Sequence, residues 1–151
     1  MSVAPAEPRT IELDAARQFD FWLGEWDCTW QADGLEHVGT NSVYADLGGV
    51  VLVENFDGRP SLDYQGLSYS LYDRKEQRWK QTWVDSEGTY LDFAGRFEDG
   101  EMELRRTADG LLFRMRWENI EPNAFDWSYQ RSEDGGKTWT ALWEIGYSRV
   151  F

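Results

Sequence analysis

The sequence predicts an all-β protein: an antiparallel ten-stranded barrel with a short N-terminal helix near one end. Three observations lead there. Nine short turn signals cut the 151 residues into strand-length pieces, among them Asp33-Gly34, Gly48-Gly49, Asp57-Gly58, Asp99-Gly100, Asp109-Gly110 and Gly135-Gly136. Such pairs supply the positive φ that tight hairpins need. Between the turns, apolar and polar residues alternate with period two, the pattern of strands with one face buried. The connections are all short, which suits an up-and-down meander better than the crossovers of a sandwich.

Residues 1–10, with Pro5 and Pro8, read as a loose arm, and residues 11–151 as a single barrel domain. Asp14 caps a predicted helix over residues 15–23 that ends at Gly24. Its Phe19, Trp22 and Leu23 fall at i, i+3 and i+4, so one face can close over an apolar opening. Strand alternation starts at Glu25. Trp26, Cys28 and Trp30 share a face, as do Leu52, Glu54 and Phe56 further on. Alternation also groups Trp79, Gln81, Trp83 and Asp85, then Leu91, Phe93, Gly95 and Phe97. Phe113, Met115 and Trp117 form the next inward face, before Phe125, Trp127 and Tyr129. Trp139, Ala141, Trp143, Ile145 and Tyr147 are placed together on the last one.

Composition limits the partners. Fifteen basic against 28 acidic residues give a net charge of -13, which disfavours phosphate backbones and anionic lipid. Neither nucleic acid nor a membrane surface is expected, and a homodimer is left open. One cysteine, Cys28, excludes an internal disulfide and favours the cytoplasm. No apolar run approaches the ~18 residues of a membrane helix, and the first residues lack the order of a signal peptide.

Three segments carry a resemblance. Phe19-Asp20-Phe21-Trp22-Leu23-Gly24-Glu25-Trp26, Trp79-Lys80-Gln81-Thr82-Trp83-Val84-Asp85 and Asp134-Gly135-Gly136-Lys137-Thr138-Trp139 resemble, in order, the motifs of an uncharacterised bacterial family of calycin-like barrels. The resemblance implies a lipocalin-like barrel with an internal cavity, and it implies no particular reaction. The nitrobindins, distant neighbours by fold, hold a haem through a histidine. Here the single histidine, His37, stands early in the second strand, so no haem is expected. One His and one Cys build no ordinary zinc site, and Ser132 to Asp134 reads as hairpin chemistry rather than a calcium loop. No cofactor is expected.

The central strand carries the functional expectation. If Trp79 and Trp83 point inward, Gln81 and Asp85 do too, placing an amide and a carboxylate among indoles. That arrangement serves either a small-molecule site or a hydrogen-bonded core. Phe113, Met115, Trp117 and Trp143 are expected to supply apolar walls. Glu54, a lone acid on an apolar face, either pairs with Arg114 or Arg116 or serves function. Cys28 reads as a buried inert thiol. Motifs for nucleophilic, phosphate-loop or zinc-protease chemistry are absent. The leading expectation is binding of a small, largely apolar, aromatic or cyclic molecule in the barrel. The alternative is a cofactor-independent enzyme of isomerase, cyclase or lyase type using Asp85 or Glu54 as acid or base. A third is an interaction module with a filled barrel.

Overall fold

Residues 14–151 are described by a computed structural model, so the arm expected over residues 1–10 lies outside the described residues. Asp14 caps the first turn as expected, its carboxylate accepting from the Ala16 N–H at 3.0 Å. In place of the continuous helix expected over residues 15–23, the chain forms two 3₁₀ turns, Ala15–Arg17 and Asp20–Trp22. The tighter winding has a packing reason. In a 3₁₀ turn side chains at i and i+3 eclipse, so Phe19 and Trp22 project together and stack at 4.7 Å.

The remainder is a closed antiparallel barrel of ten strands. These are β1 (Gly24–Ala32), β2 (Leu35–Asp46), β3 (Val51–Asp57), β4 (Gln65–Asp73) and β5 (Arg78–Asp85), then β6 (Tyr90–Glu98), β7 (Glu101–Ala108), β8 (Leu111–Glu121), β9 (Ala124–Ser132) and β10 (Thr140–Arg149). Each pairs with its neighbours in sequence, and β10 closes on β1. The tight turns do what their residues allow. Asp99 and Gly100 adopt φ of 52° and 80°, and Asp109 and Gly110 53° and 76°, the mirror-image turn that matches strand twist.

The two ends of the barrel differ. At the end where β1 begins, Phe19 and Trp22 enter the lumen and are fully buried. Phe19 meets Trp79 and Trp117 edge-on at 5.2 and 5.0 Å, and Phe21 meets Phe125 at 5.7 Å. Arg149, at the end of β10, fixes this plug. Its guanidinium donates to the Leu23 and Phe21 carbonyls at 2.7 and 3.3 Å and lies 4.3 Å from the Trp26 ring centre. Gly24 makes room for it, since with a φ of 131° any Cβ would run into the Arg149 side chain.

Interior faces agree with the alternation read from sequence over most of the barrel: Phe93, Met102 and Met115 are all buried, and Phe113 is half-buried. β10 is the exception. Its register against β9 shifts between Ala141 and Trp143, so residues before the bulge change face. Trp139 and Ala141 therefore do not share the interior with Trp143, Ile145 and Tyr147. Trp139 lies on the outer wall under the Arg114 and Arg105 guanidinium groups, at 3.9 and 5.3 Å. Arg114 also pairs with Glu103 at 2.9 Å, and Arg116 with Glu118 at 2.8 Å, so neither arginine reaches Glu54.

Because Phe19 fills the sealed end with no exposed surface, Phe19→Ala should leave a void among three indoles. A loss of about 3–5 kcal/mol in unfolding free energy is expected in urea titrations.

Candidate functional site

Above the plug the lumen is not filled. A cavity of about 400 Å³ opens at the end of the barrel carrying the turns after β1, β3, β5, β7 and β9. Its walls are mostly aromatic and aliphatic: Phe56, Trp83, Leu91, Phe93, Met115, Trp117, Trp127, Trp143 and Ile145 all reach it. The polar groups on its surface are Glu54, Tyr64, Asp85, Thr89, Arg106, Tyr129 and Tyr147. A few polar groups converging on an apolar concavity is the ordinary form of a small-molecule site.

Glu54 is held from β3 and is 6% exposed. Its two oxygens accept from the Asn41 amide and the Ser68 hydroxyl, each at 2.7 Å. The second N–H of Asn41 goes to the Tyr147 hydroxyl at 2.9 Å. No cation is within reach among the described residues, and burial pushes the Glu54 carboxyl up to about 7, the two hydrogen bonds holding it back. Near neutral pH this group is therefore divided between acid and carboxylate. Cys28 is also buried and free, and burial raises its thiol further from reactivity.

Asp85 stands at the mouth in a different state. Burial works to raise its pKa, but four donors outweigh it and the carboxyl sits below its ordinary value. The Tyr64 hydroxyl and Trp83 Nε1 donate to one oxygen at 2.7 and 3.0 Å. The Glu87 and Thr89 N–H groups donate to the other at 3.0 and 3.1 Å. Asp85 thus ties the β5–β6 turn to the Trp83 indole. That indole lies flat across Gly66 of β4, where a Cβ would occupy the ring's place.

The structure thus separates the residues singled out from sequence. Glu54, Trp83, Asp85, Met115, Trp117 and Trp143 line the cavity. Trp79, Gln81 and Phe113 do not. Trp79 is packed at the sealed end, its indole N–H 3.3 Å from the Gln18 side chain. Gln81 is buried, donates to the Ser70 hydroxyl at 2.9 Å and does not reach the cavity surface. Phe113 faces inward and stacks on Tyr129 at 5.8 Å, but it does not border the cavity. Sequence reasoning passed over Tyr64, Arg106, Tyr129 and Tyr147. Three of them were legible: Tyr129 and Tyr147 stand on faces already read as inward, and Arg106 continues the spacing of Met102 and Leu104.

Nearby, β1 and β10 pair only from Trp26↔Arg149 to Thr29↔Gly146 and then part. The Trp30 and Trp143 rings meet edge-to-face at 5.5 Å within the fork. A recess of about 850 Å³ runs along this seam on the outside and includes outward groups such as Glu118, Asp126 and Glu144. His37 sits here, stacked on Trp30 at 5.9 Å with Nε2 3.2 Å from the Ala32 carbonyl, away from the cavity. Asp134 is occupied by hairpin bonds from Ser132, Lys137 and Thr138, and no group of three candidate metal ligands occurs among the described residues. No helix among them is long and apolar enough to cross a membrane. No protein-family model matches the chain, and no curated protein matches it.

The raised Glu54 pKa has a signed consequence. Between the unfolded value of 4.5 and the folded value of about 7, the native state holds a proton the unfolded chain has lost. This contribution is present below pH 4.5, declines as pH rises to about 7 and is absent above. Glu54→Gln removes the titration while its oxygen can still accept from Asn41 and its amide nitrogen can donate to the Ser68 hydroxyl. The difference in urea-unfolding free energy between native protein and variant should shift by roughly 3 kcal/mol across that window, in favour of the variant at higher pH.

Proposed function

We propose that this protein is a calycin-like barrel that binds a small, largely apolar molecule, aromatic or cyclic, in the cavity above its N-terminal plug. The observation that carries the reading is the cavity itself. Its volume of about 400 Å³ suits a ligand of two or three fused rings, and its walls offer the faces and edges of Trp83, Trp117, Trp127 and Trp143. The open half of the lumen argues against a filled barrel acting only through its outer surface. A buried, free Cys28 supports placement in the cytoplasm.

A second reading rests on Glu54. A carboxyl with a pKa of about 7, reaching an apolar cavity and positioned by Asn41 and Ser68, has the environment of a general acid or base. Asp85 is not part of that reading, because its oxygens are already engaged by four donors and its pKa is lowered.

Titration with neutral 2-naphthamide, monitored by tryptophan fluorescence, tests the binding reading. Saturable quenching is expected in the native protein. Ile145→Trp, which adds an indole into the cavity, should abolish it while the far-ultraviolet circular dichroism spectrum is retained. Undiminished binding to the variant would place the site elsewhere.

A further inference from the structure

Arg106 differs from the other arginines of this barrel wall. Arg105, Arg114 and Arg116 point outward and pair with Glu103, Glu101 or Glu118. Arg106 points inward, opposite Phe113 in the β7–β8 register, and among the described residues is the only basic side chain on the cavity surface. No carboxylate among those residues pairs with it, in a chain whose net charge is -13. It is nevertheless held in place. Its guanidinium lies 4.8 Å from the Phe113 ring centre and 6.0 Å from that of Phe93, and one N–H donates to the Tyr129 hydroxyl at 3.3 Å. Aromatic faces attract the cation but fill none of its donors, so of five N–H groups only one has an acceptor among the described residues.

From this geometry we infer that Arg106 anchors an anionic headgroup, and that the ligand is a monoanionic aromatic or cyclic carboxylate. The inference rests on the cavity-binding reading and narrows it. A planar guanidinium with paired free donors matches the two oxygens of a carboxylate. A single cation suits a single negative charge, whereas a dianionic phosphate would ask for a second basic group on the cavity wall. The two acids on the cavity surface do not oppose this placement. Asp85 has its charge spread over four hydrogen bonds, and Glu54 lies deeper, beside Asn41 and Ser68 on the far side of the barrel from β7. The carboxylate would sit near the mouth beside Arg106 and Tyr129, with the rings below, toward Met115 and Trp117.

The test compares 2-naphthoate with its neutral counterpart, 2-naphthamide, in fluorescence titrations of the full chain. Native protein should bind the acid about tenfold or more tightly than the amide, charge-assisted pairs being the stronger ones. That preference should shrink with added salt. Arg106→Gln should erase it, the two probes then binding alike, and Arg106→Lys, which keeps the charge but not the fork, should retain part of it. If the glutamine variant is unfolded by circular dichroism, the lysine variant decides, through an expected several-fold drop in the preference for the acid. Equal affinities for the two probes in native protein would overturn the anion inference and leave the binding reading standing. A preference that survives in both variants would overturn the role of Arg106. Failure of both probes to bind would overturn both.

Discussion

Ten strands close into a ring wider than one layer of side chains can fill, so the interior must take up material from outside the sheet or remain partly empty. Here it does one at each end. The residues before β1 turn back into the lumen as two 3₁₀ turns, and Phe19 and Trp22 complete a packed aromatic layer with Trp26, Trp79, Trp117 and Phe125. The other end receives no such segment among the described residues. The position of the cavity, its depth and the character of its floor all depend on how far that plug reaches. Trp117 makes the division concrete: it meets Phe19 below and borders the cavity above.

The cavity's polar groups fall into two kinds, set by what surrounds them. Asp85 and Tyr64 are partners at the rim and hold one turn and one indole in position. Glu54 belongs to a chain of side chains, Ser68–Glu54–Asn41–Tyr147, that runs through the barrel interior with no cation in it. Such a chain is costly unless satisfied, and it tolerates either protonation state only because a hydroxyl and an amide can both remain bonded to the carboxyl. The rigid rim and the adaptable interior network meet around one apolar space.

Period-two reasoning made the fold legible, and it also set the limit on the site. Alternation tells which face of a strand a residue occupies but not its height along the barrel axis. Trp79, Gln81, Trp83 and Asp85 share one face, yet the first lies against the plug, the second in the wall, and only the last two reach the cavity. Trp139 was misplaced for another reason: a bulge beyond Ala141 shifts the phase, and nothing in the apolar pattern marks it. Asn41 and Ser68 could not be found by hydrophobic alternation, being polar residues on interior faces. Arg106 could have been found, since its spacing from Met102 and Leu104 gives its direction.

Arg149 gives the assembly of this barrel an order. The plug before β1 is fixed by a side chain from the end of β10, and β1 has no second neighbour until β10 arrives. The contacts that close the ring therefore join the two extremes of the described chain, the separation for which loop closure is most demanding and folding slowest. On the ribosome, hairpins from β2 to β9 can form as they emerge, while β1 waits with one edge bare. The aromatic seal, first in sequence, is complete only once the last strand is in place.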